Sequence, residues 1–147
     1  GICHFSDFSQ AMRATKDIVS LSPTAVELVD KTMIDLASHI GAFYSVVAEA
    51  IVGEPKSVLL VEFAGSSDAE NRNNLSLLTE LMRDLRYPGI VLPIVEKNFQ
   101  KAVWEVRKQA LNIVMSMKGD GKPVDLVPKL TKQKQPRGCL WKALGIL

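Results

Sequence analysis

Arg107 lies in a stretch from Glu96 to about Met117 whose apolar residues Phe99, Val103, Val106, Ala110, Val114 and Met117 recur at helical spacing. At 100° per residue, Val103, Leu111 and Val114 project within about 40° of Arg107, so its side chain points into the apolar stripe. A guanidinium cannot be deprotonated in a protein and is costly to bury alone, so it requires an internal carboxylate or a bound anion. Glu27, Glu62 and Asp30 are the candidate internal partners, and snorkelling to the edge of the stripe would also relieve the cost. The functional alternative is a forked receptor for a substrate carboxylate.

The segment that follows, Met115-Ser-Met-Lys-Gly-Asp-Gly-Lys-Pro123, ends the helix with Gly119 and Gly121 and places Lys118 and Lys122 in or near a turn. A lone G-x-G does not make a phosphate loop, and nothing before it matches a P-loop or a dinucleotide fingerprint. Cys3 and Cys139 stand at opposite ends without a C-x-x-C pair, and His4 and His39 are the two histidines. Neither a zinc site nor an iron–sulfur cluster can be assembled from this set alone, so the thiols are expected to be reduced and the imidazoles ordinary packed or surface groups.

The elements that must position Arg107 fit one globular domain, since 147 residues that are 47% hydrophobic and 23% charged can bury a sizeable core. No apolar run approaches the roughly 18–20 residues of a membrane span, and Gly1-Ile2-Cys3-His4 lacks the form of a signal peptide, so the chain reads as cytoplasmic. Charge divides it in two. Residues 1–128 carry 13 basic against 16 acidic residues, whereas 129–147 carry Lys129, Lys132, Lys134, Arg137 and Lys142 with no acid. A short solvated tail is the expected meaning of that change; nucleic-acid binding would need interleaved aromatic residues that it lacks.

Along the body, Gly1 to Phe5 reads as the end of a strand, followed by a helix capped by Ser6 with Phe8, Ala11, Met12, Thr15 and Ile18 on its buried face. Thr24 to Asp30 reads as a second strand, Lys31 to about Ala37 as a helix, and residues 41–53 as a further helical segment without an evident role. Ser57 to Ala64 is apolar on both faces, which implies a covered, central strand. Ser67-x-x-Glu70 forms a capping box for a helix striped by Leu75, Leu78, Leu81, Met82 and Leu85. Pro88-Gly89 stops that helix before a strand over 90–95, where Pro93 marks an edge. Two strand–helix–strand units in succession predict an α+β fold of ferredoxin-like type, an antiparallel sheet with helices packed on one side.

Cys3-His-Phe5, Ser22-Pro-Thr-Ala-Val-Glu-Leu-Val-Asp30, Leu59-Leu-Val-Glu-Phe-Ala-Gly65, Ala102-Val-Trp-Glu-Val-Arg107 and Met115 to Pro123, taken together, resemble the C-terminal cap domain of FAD-linked oxidases. That family includes D-lactate dehydrogenases, the flavin subunit of glycolate oxidase and D-2-hydroxyglutarate dehydrogenases, and the wording is nearest to members fused to an iron–sulfur domain. The resemblance covers residues 1–124 and leaves 125–147 as a divergent basic tail. It implies that Trp104 and Arg107 mark the helix that binds the substrate carboxylate, and that Lys122 is a further substrate-side residue. It also implies a flavin-binding domain before Gly1 and a histidine-rich stretch downstream.

The resulting expectation is a fragment of an FAD-dependent oxidoreductase that oxidises a 2-hydroxy acid of the D-lactate or glycolate type. By the resemblance, a hydride passes from the substrate carbon to FAD while this domain supplies carboxylate recognition. No catalytic residue and no metal ligand is expected within the chain, and the isolated chain should hold no FAD and be inactive. Its partners would be the substrate, the missing FAD-binding domain and further copies of itself through the exposed face, and the parent could lie against a membrane. The competing expectation is a non-catalytic ferredoxin-like dimerisation module, in which Arg107 is paired internally.

Overall fold

The computed structural model describes residues 1–87 and 89–116. In chain order the elements are β1 (Ile2–Phe5), α1 (Phe8–Ile18), β2 (Ala25–Asp30), α2 (Lys31–Ser38), α3 (Tyr44–Ala50), β3 (Ser57–Glu62), α4 (Asp68–Asp84), β4 (Val91–Leu92) and α5 (Lys97–Ser116). The four strands form one sheet in the order β2-β3-β1-β4, with every neighbouring pair antiparallel. This is the order expected when two split strand–helix–strand units interleave, and it confirms the α+β class.

The two-sided apolar run over Ser57–Glu62 explains why β3 is central. Val58, Leu59, Leu60 and Val61 are all buried, and β3 pairs with both β1 and β2. Alternation then assigns the faces. Cys3, Phe5, Val26, Leu28, Leu59 and Val61 pack with Ala11, Ala14 and Ile18 of α1 and with Leu78 and Met82 of α4. Ile2, Val29, Val58 and Leu60 point the other way, against Met33 and Ile34 of α2, Ala50 of α3, and Phe99, Val103 and Trp104 of α5. The expectation of helices on one side is therefore corrected: both faces are covered. The interleaved units place α1 and α4 together, as right-handed crossovers require, while the inserted α2–α3 pair and α5 cover the face those units leave open.

Helix ends depart from the sequence reading in two places. Asp7, not Ser6, caps α1, accepting from the Ser9 N–H at 2.9 Å. Ser67 caps α4 as expected, but the Glu70 carboxylate reaches one residue further back, accepting from both Ser66 N–H and Ser66 Oγ at 2.7 Å. Those bonds hold the Glu70 carboxyl below the usual carboxylate range. At its other end α4 stops before Pro88, which lies outside the described residues. Arg86 adopts φ 56°, and the N–H groups of Arg86 and Tyr87 bond back to the carbonyls of Arg83 and Met82. That is a Schellman ending with a non-glycine residue in the left-handed region, a conformation that costs an L-residue roughly 1–2 kcal/mol. Arg86→Gly is accordingly expected to raise unfolding stability by about 0.5–1 kcal/mol after the larger chain entropy of glycine is subtracted, read as a higher denaturant midpoint at unchanged slope.

Candidate functional site

Helix α5 lies on the sheet face formed by Ile2, Val29, Val58 and Leu60, and presents Phe99, Val103 and Trp104 to it. Its apolar stripe continues through Val106, Ala110 and Ile113 toward Ala37 of α2 and Phe43 beside α3. Arg107 sits within this stripe and is 16% exposed. Its Nε forms an ion pair with Oε2 of Glu27 on β2, whose side chain is 10% exposed, and neither atom has a further polar partner among the described residues. Strand parity and burial together select this carboxylate from the three candidates: Glu27 is buried and points to the same face as Val29, hence toward α5. Asp30 instead caps α2, accepting from the Met33 N–H at 2.8 Å, and Glu62 is exposed at the end of β3.

The pair engages the guanidinium along its Nε edge. Among the described residues no hydrogen bond is made by the terminal Nη groups, the end-on fork whose geometry fits a carboxylate. Glu27 thus neutralises the buried cation in part and fixes its orientation, with hydrogen-bonding capacity left over.

Two cavities flank this part of α5. The larger, about 140 Å³, lies between the N-terminal portions of α4 and α5 and is lined by Glu62, Asn71, Arg72, Lys97, Gln100 and Trp104, among others. The smaller, about 50 Å³, lies between the sheet and helices α2, α3 and α5; among the described residues Arg107 is the one charged residue in its wall. Val103, Ile2 and Leu60 border both cavities. Trp104 and Arg107, which the resemblance takes together, therefore share a helix but line different spaces. Lys122, Lys118, Cys139 and the tail over 125–147 lie outside the described residues. Arg72 and Lys97 were not singled out from the sequence, because a cation near the start of a helix reads as an ordinary solvated residue.

The remaining groups with chemical potential are structural. Cys3 is fully buried at the sheet centre, and burial pushes its thiol up to about 12, which removes it as a nucleophile at neutral pH. His4 is 4% exposed. Its Nδ1 lies 3.0 Å from the Ile90 carbonyl, and its Nε2 lies 3.1 Å from both the Val52 nitrogen and the Ala50 carbonyl. The Nδ1–H tautomer, assigned from these partners, donates to Ile90 and accepts from Val52, so the ring ties β1 to the segments that precede β3 and β4. No cluster of three or more His, Cys, Asp or Glu side chains suited to a metal occurs among the described residues. No helix among them is long and apolar enough to cross a membrane.

Among the described residues, neither cavity would enclose a flavin by itself. Roughly 150 Å³ of apolar cavity accommodates one benzene ring, so neither cavity offers room for a three-ring isoalloxazine. The turn from β3 into α4 has a single glycine, Gly65, where a dinucleotide fingerprint needs three.

No curated protein and no solved structure matches the chain. A family model, described as the C-terminal domain of FAD linked oxidases, matches residues 1–129. With that match spanning most of the sequence, the chain belongs to the FAD-linked oxidases as a C-terminal domain.

Proposed function

We propose that this domain recognises the carboxylate of a 2-hydroxy acid for an FAD-dependent oxidoreductase of the D-lactate or glycolate type, with Arg107 as the receptor. The family implies FAD and an FAD-binding domain as the other part of such enzymes. The observation that carries the reading is a guanidinium 16% exposed in an apolar setting, paired at Nε with Glu27 while its terminal fork makes no hydrogen bond among the described residues. A carboxylate arriving at that fork would make two parallel charge-assisted hydrogen bonds in a poorly hydrated place, which fixes the substrate's orientation as well as its affinity. Trp104, three residues earlier on α5, offers an aromatic wall to the neighbouring cavity. Lys122 is proposed as a second substrate-side cation on the strength of the resemblance, and the boundary between cap and basic tail near residue 124 is likewise a proposal.

In the intact FAD-containing enzyme, Arg107→Lys keeps the charge but loses the planar fork. Its kcat/KM for the 2-hydroxy acid is expected to fall on the order of tenfold to a hundredfold, with thermal stability little changed. Steady-state kinetics beside thermal unfolding of both forms checks this; unaltered kcat/KM with reduced stability would assign Arg107 to Glu27 alone.

A second reading has that ion pair in its favour: Arg107 is already paired, as a non-catalytic ferredoxin-like dimerisation module would require. It predicts Arg107-independent self-association, which sedimentation of the purified chain over a wide concentration range would reveal.

A further inference from the structure

Among the described residues Arg107 makes one ion pair, to Glu27. The acid is buried, and it stands on a paired strand, opposite Leu60 of β3. A carboxylate enclosed by packing on a fixed strand cannot swing into water when a second anion arrives. A substrate carboxylate bound to Arg107 and the carboxylate of Glu27 would therefore share one guanidinium, two negative charges on a single positive one. Repulsion between the two acids then opposes the attraction between substrate and cation, and partial burial keeps solvent from screening it away. That lowers affinity, which has a use in an enzyme. A 2-hydroxy acid and the 2-oxo acid formed from it keep the same carboxylate. A bare guanidinium in an apolar setting would hold both equally hard, lowering KM without raising kcat and slowing product release.

We infer that Glu27 is a positioning residue that acts through Arg107: it sets the charge the guanidinium presents, and so keeps the hold on a 2-hydroxy acid and its 2-oxo product weak enough for release. The inference rests on the reading of Arg107 as the carboxylate receptor and adds to it what regulates that receptor's affinity. Its sign is distinctive. Were the pair structural alone, neutralising Glu27 would loosen the fold and weaken whatever the site binds, whereas a charge that competes with the ligand predicts tighter binding once it is removed.

The test is an amide-resolved NMR titration of the full chain with lactate, pyruvate and the uncharged lactamide, which reads dissociation constants into the millimolar range. Glu27→Gln keeps the side chain's size and an acceptor oxygen and removes its charge. Two like charges a guanidinium's width apart repel by enough, at an effective dielectric of about 20, to change an affinity on the order of tenfold. Glu27→Gln is therefore expected to lower the dissociation constants of lactate and pyruvate on the order of tenfold, in parallel, and to leave lactamide as weak as before. Glu27→Asp, which keeps the charge but withdraws it by one methylene, should tighten both acids about twofold, and it decides the matter if Glu27→Gln does not fold. Arg107-dependent binding of lactate that the Glu27 variants leave unchanged or weaken, or an equal tightening of lactamide, overturns this inference and leaves the carboxylate reading standing. Binding of neither acid, or binding that Arg107→Lys leaves unchanged, overturns both.

Discussion

Arg107→Ala is expected to lower the stability of this chain by about 3–5 kcal/mol, because it leaves the Glu27 carboxylate, 10% exposed, without its cation beneath α5. Glu27→Ala should cost a similar amount by stranding the guanidinium. The pair as a whole is a different matter: two charges withdrawn from water regain through their attraction little more than they lose in hydration, so replacing both together with apolar residues of similar volume is commonly neutral or stabilising. The double variant Glu27→Leu with Arg107→Met is therefore expected to recover most of the loss, with denaturant unfolding of the four proteins giving the coupling energy directly. That cycle also separates the two roles of Arg107. A purely structural pair predicts that the double variant regains everything, whereas a carboxylate receptor predicts recovered stability with substrate binding still lost. Single-variant losses below about 1 kcal/mol would show that the ion pair is hydrated in solution and that the buried-charge argument does not apply.

How far the sequence could carry this site is visible in the same two residues. The helical stripe identified Arg107 as inward-facing without any structure, and the list of possible partners already contained Glu27. What the sequence could not choose was the partner, because that choice depends on which face of β2 meets α5. Once α5 is known to cover the face of Val29 and Leu60, strand parity excludes Asp30, and the exposed position of Glu62 at the end of β3 leaves Glu27. The one-sided helix layer failed for a related reason. Counting strand–helix–strand units accounts for α1 and α4 but says nothing of where α2, α3 and α5 go, although the two-sided apolar run of β3 already demanded cover on both faces. The strand read over 90–95 is the pair Val91–Leu92, since Pro93 has no N–H to extend the ladder. The partners of His4 were out of reach altogether: Val52 and Ile90 are 48 and 86 residues away, and no local pattern encodes them.

Gly89→Ala is expected to destabilise the chain by roughly 3–5 kcal/mol, through sterics and not through backbone preference. A Cβ at this position would lie 1.5 Å from the His4 carbonyl oxygen and 2.7 Å from its carbonyl carbon, both main-chain atoms that cannot rotate away. Ordinary contact needs about 3.5 Å, so the segment entering β4 would have to retreat by roughly 2 Å. Ile90 is the next residue, and its carbonyl accepts both the His4 N–H at 2.9 Å and His4 Nδ1–H at 3.0 Å. Both bonds would break, and each buried group left without a partner costs about 1–3 kcal/mol. The ladder beyond is too short to resist, consisting of Ile2 opposite Leu92 and Cys3 opposite Val91. Gly41 supplies the control: no heavy atom lies within 4 Å of a Cβ placed there, so Gly41→Ala should change stability by no more than about 0.5–1 kcal/mol. Amide hydrogen exchange gives the sharper readout, because loss of β4 should remove protection from the amides of β1 that face it while those of β2 and β3 persist. If Gly89→Ala unfolds at the same denaturant concentration as Gly41→Ala, the close approach of Gly89 to β1 is not what secures the edge of the sheet.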